Sequence, residues 1–187
     1  MGRTEVTQKQ WIAVMGGDRS LFGSCGLECP VETISWNDAR EFARRLSQKT
    51  GKSYRLPSES EWEYAARAGN TGKWSFGDDE SQLGEYGWFN GNGEGTVHPV
   101  AQKRPNAFGL YDMHGNVWEW VSDAWHENYQ GAPSDGSAWI NGGDQSRRVL
   151  RGGAWINYPR NLRSAYRLRS APDDRDNSTG MRIVRTF

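Results

Sequence analysis

The segment from Arg148 to Arg185 carries no hydrophobic period, and this constrains the fold more than any other feature of the chain. A half-buried strand alternates apolar and polar residues, and an amphipathic helix repeats its apolar residues near every 3.6 positions. Here a frame of glycine, arginine, aromatic and proline residues is interrupted by side chains that share neither size nor polarity. The frame positions are Gly152-Gly153, Trp155, Arg163, Tyr166-Arg167, Pro172-Asp173 and Gly180. A rigid frame that carries unrelated side chains indicates a surface built for binding.

A few large aromatic side chains are expected to form the core, with glycines allowing the backbone to turn around them. The chain has 10 tryptophans and 23 glycines, whereas hydrophobic residues make up only 35% of it. Each large aromatic ring can bury roughly 150–250 Å², and glycine allows tight turns around such rings. At 187 residues the chain can bury one core of its own. We therefore expect a single loop-rich domain over residues 1–187.

Charge and hydropathy exclude two classes of partner. The 23 basic and 23 acidic residues balance, so the electrostatic footprint of a nucleic-acid-binding protein is missing. The N-terminus has no apolar signal-peptide core, and no run approaches the ~20 apolar residues of a membrane span. A soluble monomer without a membrane span is expected, and nothing in the sequence specifies a cellular location. The two cysteines, Cys25 and Cys29, are too few for a disulfide scaffold and lack a second pair of zinc ligands. They are expected to be free or locally bridged in a loop.

Three capping boxes predict three short helices. Thr7 with Gln10 opens a helix to about Met15, Ser35 with Asp38 opens one that Gly51 ends, and Ser58 with Glu61 opens a third before Gly69. Strands are predicted over 117–121, from 149 and over 180–184. Residues 70–112 are expected to form short strands and loops, and residues 131–146 a mobile connection. The terminal segments 3–6 and 181–185 are expected to pair in a common sheet.

Four blocks resemble the formylglycine-generating-enzyme (sulfatase-modifying factor) family over essentially the whole chain. They are PVETISWNDAREFARRL, RLPSESEWEYAARAG, NAFGLYDMHGNVWEWVSD and RVLRGGAW with GMRIVR. The resemblance implies an α+β, C-type-lectin-like single domain, with two to three short helices beside a small twisted antiparallel sheet and much ordered loop.

The family's catalytic cysteines have no counterpart here. Its enzymes bind copper with two cysteines, five positions apart, upstream of a Pro-Asp…Gly-Phe-Arg segment. Alignment on Pro172-Asp173 and Gly180 puts Pro159 and Ser164 at those positions. Neither can supply the thiolate that Cu(I) needs. We therefore expect no enzyme of this type and no catalytic residues.

A narrower resemblance is to the variable proteins of prokaryotic diversity-generating retroelements, which rewrite template adenines, often in AAC codons. Changing those adenines can yield Asn, Ser, Asp, Ala, Ile, Leu or Tyr, but never Lys, Glu, Gln or Met. Residues 154–179 contain none of the latter four. The resemblance implies a variable ligand-binding segment over 148–185. Its irregular positions are Ala154, Ile156, Asn157, Tyr158, Asn161, Leu168, Ser170, Asp174, Asp176, Asn177 and Ser178.

The irregular positions other than Ala154 and Asn161 are predicted to be largely exposed and gathered on one face, because a close-packed core does not tolerate varied side chains. A second group, the frame side chains, is predicted to be buried or hydrogen-bonded. It comprises Arg151, Trp155, Arg163, Tyr166, Arg167 and Arg182.

The NVWEW motif leaves two roles open for its polar residues. Asn116 and Glu119 lie where the family can hold a structural calcium, and hard cations take such oxygen ligands. Alternatively, they cap a turn and pair with an arginine, and we favour this second role. A structural calcium is the only cofactor that the sequence suggests. Asp112, His114 and Asp123 suggest a catalytic site but lack a nucleophile or metal motif, so they are interpreted as polar loop residues.

The leading hypothesis is therefore a non-enzymatic binding protein. Its ligand is expected to be a macromolecule, namely another protein. Three alternatives remain: irregular residues that merely decorate loops, a divergent family enzyme such as an iron-dependent relative, and an accessory domain of a larger assembly. With three histidines in no facial-triad spacing, the iron enzyme is disfavoured.

Overall fold

The three longest helices begin at their capping boxes. A computed structural model describes residues 1–186 of the chain and contains α1 (Gln8–Met15), α2 (Trp36–Thr50) and α3 (Glu59–Arg67). At each start the N-cap side chain accepts the amide of the third helical residue, whose side chain bonds back to the N-cap amide. The first two helices end at left-handed glycines, as predicted. α3 ends one residue earlier than predicted, because Ala68 itself takes the left-handed conformation (φ 47°).

Residues 70–112, all of them described, contain no strand. They instead hold a 3₁₀ turn (Glu80–Gln82) followed by the single-turn helix α4 (Leu83–Tyr86). The prediction of short strands there was wrong. Asp79 accounts for the helical turn, because its side chain accepts the amide of Ser81.

Within residues 1–186, six strands form two sheets. β1 (Ser53–Arg55) pairs with β6 (Val184–Thr186), and the larger sheet has the order β4-β3-β2-β5. Its members are β2 (Trp118–Trp125), β3 (Asp144–Arg151), β4 (Leu168–Ser170) and β5 (Thr179–Met181).

The larger sheet is mixed, not wholly antiparallel as expected. β5 runs parallel to β2, because residues 171–178 carry the chain back along the sheet before β5 begins. β3 starts at Asp144, so the end of the connection expected to be mobile is part of the sheet.

The two chain termini are joined by backbone hydrogen bonds. The amide of Gly2 donates to the carbonyl of Ile183 (2.8 Å) and that of Val6 to the carbonyl of Met181 (2.9 Å). Residues 3–6 nevertheless form no strand, and the strand partner of β6 is β1. The expected contact between the termini is present, but without a common sheet.

Tryptophan rings dominate the largest apolar cluster, as the composition predicted. Trp11, Trp36, Trp118, Trp120 and Trp155 all belong to it, and Trp11 stacks on Phe42 of α2 at 5.4 Å between ring centroids. Cys25 and Cys29 are joined by a disulfide. Among residues 1–186 no helix has both the length and the apolar character needed to cross a membrane.

Candidate binding surface

The strand register brings several irregular positions to one end of the larger sheet. Leu168 pairs with Leu150, which pairs with Trp120, which pairs with Met181. Since β2, β4 and β5 run in the same direction, all three begin at the end where β3 finishes. We call this the Leu168 end. The connection 152–167 leaves from it and returns to it, and Asn177 and Ser178 immediately precede β5 there.

Arg151 anchors the connection 152–167 by hydrogen bonds to its backbone. This last residue of β3 is fully buried. Its Nη2 donates to the carbonyl of Ser164 (2.6 Å) and to Glu63 Oε2 (2.5 Å), and its Nη1 donates to the carbonyl of Tyr166. One guanidinium therefore fixes two carbonyls of a segment that has no strand partner of its own.

Arg182 performs the equivalent role beneath the sheet. Its guanidinium is fully buried and pairs with Glu119 (2.8 Å), and it also donates to the carbonyls of Gly2 and Tyr111. The indole of Trp62 donates to the other oxygen of Glu119 (2.7 Å). Charge-assisted hydrogen bonds of this kind offset much of the cost of burying the ions.

Gly152 and Gly153 turn the chain out of β3, and each has a positive φ (98° and 78°). A Cβ on Gly153 would stand 2.7 Å from the side chain of Leu162. The turn directs Trp155 back into the core, where its amide donates to the carbonyl of Asn116 (2.9 Å).

Three irregular positions present large apolar side chains to solvent. Ile156 is 54% exposed, Tyr158 60% and Leu168 37%. Ile156 and Tyr158 lie in the connection at the Leu168 end, and Leu168 begins β4 there. Burying such apolar side chains against a partner would be favourable. The neighbouring Asn157 and Asn161 are half-buried, and Asn157 Oδ1 accepts the amide of Ala154 (3.0 Å).

Two irregular positions are buried, which contradicts the predicted exposure of Ser178 and the predicted ligand-binding role of Ala154. Ala154 has no exposed surface, because it lies between Gly153 and Trp155 and packs in the tryptophan-rich cluster. Ser178 is 8% exposed, because its carbonyl accepts the amide of Trp118 (2.7 Å) as β5 enters the sheet.

The remaining irregular positions are not all at the Leu168 end. Ser170 ends β4, and its hydroxyl donates to Asp174 Oδ2 (2.5 Å) at what we call the Ser170 end. Asp176 is exposed on the return loop, where its carbonyl accepts the amides of Thr33 and Thr179. The half-buried Asn177 follows it. The structure thus brings together the positions of the connection, Leu168 and the residues before β5, but not Ser170 and Asp174.

Arg163 is hydrogen-bonded, as predicted for the frame, but it is not buried. It is exposed, and its Nε donates to the nearby carbonyl of Arg160 (2.8 Å). Arg167 is instead well anchored, with a bidentate pair to Glu59 (2.6 and 2.8 Å) and a bond to the carbonyl of His126. Tyr166 is half-buried against Trp118.

The two positions aligned with the family's catalytic cysteines hold no thiol. Pro159 begins a 3₁₀ helix (Pro159–Leu162). Ser164 is fully buried, its amide donates to the carbonyl of Lys73 (2.8 Å), and its hydroxyl has no hydrogen-bond partner.

Asn116 and Glu119, the two residues considered for a structural calcium, are both engaged in hydrogen bonds within the fold. Glu119 has its oxygens committed to Arg182 and Trp62. The amide nitrogen of Asn116 donates to Glu5 Oε2 (2.8 Å) and its oxygen accepts the amide of His98 (3.0 Å). Within residues 1–186 no group of three or more His, Cys, Asp or Glu side chains could hold a metal ion. The geometry corresponds to the alternative in which these residues cap a turn and pair with an arginine.

Asp112, His114 and Asp123, interpreted from sequence as polar loop residues, are all buried. Burial raises the pKa of Asp112 to about 6 and lowers the pKa of His114 to about 4. Asp123 accepts the amides of Glu59 (2.7 Å) and Trp139 (2.8 Å). The two Asp123 contacts hold the backbone of Glu59 and Trp139 in place. The spacing of Asp112, His114 and Asp123 in the sequence did not predict that they are buried.

Comparisons with known proteins agree with this architecture. A family model described as "Sulfatase-modifying factor enzyme 1-like domain" matches residues 1–187. A formylglycine-generating enzyme of Streptomyces coelicolor is 38% identical over 170 residues, which cover 83% of this chain and 52% of that protein. An "Inactive C-alpha-formylglycine-generating enzyme 2" of Bos taurus is 35% identical over 173 residues, 84% of this chain and 50% of its own length. The chain thus spans about half the length of these relatives.

Solved structures confirm the α+β, C-type-lectin-like fold. "Treponema denticola variable protein 1" superposes with a TM-score of 0.88 at 31% identity, covering 96% of this chain and 81% of that one. PvdO from Pseudomonas aeruginosa superposes with a TM-score of 0.87 at 37% identity, covering 99% and 79%. The similarity therefore extends to a protein named as a formylglycine-generating enzyme, to a relative named as inactive and to a variable protein.

Proposed function

The chain belongs to the family of sulfatase-modifying factor enzyme 1-like domains, and within that family we propose that it is a non-enzymatic ligand-binding protein. Its binding surface is the Leu168 end of the larger sheet. The exposed irregular positions Ile156, Tyr158 and Leu168 supply the contacts, and the segment that carries them is diversified by a retroelement.

One observation carries this proposal. Within a single segment, buried side chains lie next to large apolar side chains that are exposed to solvent. Arg151 and Trp155 are buried, whereas Ile156 and Tyr158 directly after them are more than half exposed. A monomer has little reason to leave such groups in water, but an interface uses aromatic and aliphatic anchors surrounded by small polar groups. Asn157 and Asn161 are polar neighbours of that kind.

The ligand is proposed to be a protein. The balanced charge of the chain supplies no field for nucleic acid, and the three exposed apolar side chains suit the apolar surface of a protein partner. Similarity to a variable protein of Treponema denticola supports diversification, and similarity to an inactive bovine relative supports a role without catalysis.

The decisive test of diversification is the DNA around the gene. A neighbouring reverse-transcriptase gene, together with a near-copy of the codons for residues 148–185 that differs only at adenines, is expected. A segment without any such copy, or with differences spread over all four bases, would contradict diversification.

Binding capacity can be tested by display. A library that randomises Ile156, Tyr158, Leu168 and Asn161 with codons reachable from AAC is selected against one immobilised folded protein. The matched control library randomises four exposed residues of α2, at Arg44, Arg45, Gln48 and Lys49. Binders from the first library alone are expected. Equal yields from both libraries would show that the Leu168 end has no special capacity.

The enzymatic alternative has its own test. The purified protein, supplied with copper and oxygen, is incubated with a sulfatase-type cysteine peptide, and the formylglycine product is measured by mass spectrometry. No product is expected, because Pro159 and Ser164 supply no thiolate. Turnover would overturn the non-enzymatic assignment.

A further inference from the structure

A pocket of about 740 Å³ lies between α2 and the sheet, away from the Leu168 end. Trp36 and Arg40 of α2 contribute one wall and Arg148 of β3 another. Arg148 pairs in register with Ser170, which places this pocket toward the Ser170 end. Nothing in the proposed binding surface uses these residues.

Two arginines in this pocket share one aromatic ring. The guanidinium of Arg40 lies 4.7 Å from the centroid of a Trp36 ring, and that of Arg148 lies 4.5 Å from it. The indole is held in place because its Nε1 donates to the carbonyl of Val121 (2.7 Å). Two like charges near one indole repel each other, and an anion bound between them would remove that repulsion.

Neither of these arginines has a carboxylate partner in the described part of the chain. Arg40 forms no hydrogen bond or ion pair there. Arg148 donates through Nη1 to the carbonyls of Gln145 (3.2 Å) and Arg147 (3.1 Å), and its Nε is buried with no partner. Burial and the nearby charge of Arg40 both lower the pKa of Arg148.

The other two arginines of the pocket provide a contrast. Arg44 pairs with Glu41 and Arg55 pairs with Glu61, at 2.7 and 2.6 Å. The fold therefore pairs Arg44 and Arg55 with carboxylates but, within residues 1–186, supplies none to Arg40 and Arg148. No carboxylate is among the described residues that line the pocket, so nothing within it competes with an incoming anion.

The rest of the lining is apolar or neutral. Ala43 and Leu56 form part of the wall, and Ile140 adds a side chain that is 55% exposed. A planar guanidinium binds carboxylate or phosphate oxygens through paired N–H groups, and the apolar wall can cover a carbon skeleton.

We propose that this pocket is a second binding site, which takes a small organic oxyanion with an aromatic or apolar body. The anionic group lies between Arg40 and Arg148, and the body lies against Leu56 and Ile140. The site is independent of the irregular positions, so its ligand does not change when they do.

Titration calorimetry with four probes tests the site. Phenyl phosphate and benzoate carry an oxyanion on a ring, benzyl alcohol is a neutral match for the ring, and inorganic phosphate is a bare anion. Phenyl phosphate or benzoate is expected to bind at least about tenfold more tightly than the other two, since a charged hydrogen bond and the ring contact are both needed. The stronger of the two identifies the oxyanion as a phosphate or a carboxylate. Benzyl alcohol binding as tightly as either, or no binding by any probe, would overturn the proposal.

Variants locate the bound anion. Arg40→Gln and Arg148→Gln are each expected to weaken binding about tenfold or more, and Arg148→Lys, which keeps the charge but not the fork, by less. Arg147→Gln is the matched control, because it removes the same charge from an exposed neighbour on β3 and should leave affinity within about twofold. Thermal unfolding of each variant checks that it is folded. Equal weakening by Arg147→Gln would show a general charge effect and not a site.

Discussion

The buried cluster around Glu119 and the connection 152–167 at the Leu168 end both contain arginine, but Arg182 of the first and Arg163 of the second differ in burial and in charge pairing. Arg182 is fully buried against Glu119, whereas Arg163, in the connection, is exposed, bonds the carbonyl of Arg160 and lies 5.9 Å from the ring centroid of Tyr166. The Arg182 ion pair holds buried segments of the chain together. Arg163 stays in solvent, where a partner can reach it. The difference shows that an arginine supports the fold only where it has buried hydrogen-bond or ion-pair partners, and that the residue type alone does not reveal this.

The largest effect is expected beneath the sheet, from Arg182→Ala. The change would leave Glu119 without its cation, next to the buried carboxylates of Glu5 and Asp112. Removing one partner of a buried ion pair costs about 3–5 kcal/mol of unfolding free energy. Denaturant unfolding measures it, with Arg163→Ala as the control at no more than about 0.5 kcal/mol. Similar losses from both variants would remove the contrast between the two regions.

Trp155→Ala tests the boundary between the regions. Trp155 is buried and packs edge-on against Phe22 at 5.6 Å between ring centroids, and truncation of a buried Trp costs about 3–5 kcal/mol. A loss at the lower end is expected, because its Nε1 has no hydrogen-bond partner to lose. Tyr158→Ala, on the solvent side of the same turn, should change the free energy by no more than about 0.5 kcal/mol. A larger loss at Tyr158 would mean that it is a packing residue.

Asp112→Asn is expected to stabilise the protein above neutral pH. Because burial raises the pKa of Asp112 to about 6, the folded state favours the protonated acid, and stability is lost as pH rises through that value. Asparagine never ionises, so the variant should be more stable by about 1–3 kcal/mol at pH 8. The advantage should shrink as pH falls toward 4. Denaturant unfolding at both pH values measures this.

The matched control for that change is Asp135→Asn, an exposed aspartate whose pKa is lowered by its bonds to Ser137. It should show no gain at high pH. A gain in the control, or a pH-independent effect of Asp112→Asn, would contradict burial of the Asp112 charge as the cause.

The smallest effect is expected from changing the exposed positions together. A triple variant with serine at Ile156, Tyr158 and Leu168 should lose no more than about 0.5 kcal/mol per position, because surface side chains contribute little to folding. Thermal unfolding measures the change, and Leu162→Ser, at a buried neighbour, provides the destabilised reference. A collapse of the triple variant would show that the connection is part of the core.

Local signals in the sequence predicted the helices well and the loops poorly. A capping box acts within four residues, so the starts of α1, α2 and α3 could be read directly. The short strands expected within residues 70–112 were wrong, since α4 depends on an aspartate turn and on packing. The burial of Ala154 and Ser178 also escaped prediction, because both residue types are compatible with either environment and only their neighbours decide.

The sequence by itself determined the three capped helices, the aromatic core, the family and the absence of thiols at positions 159 and 164, because each depends on residue type or short-range spacing. Only the tertiary structure decided which arginines are buried, that β5 lies parallel to β2, and that Arg40 and Arg148 share the ring of Trp36. These properties depend on residues far apart in the chain. Their partners are chosen by packing and by the need to satisfy buried charges, and no local pattern encodes that choice.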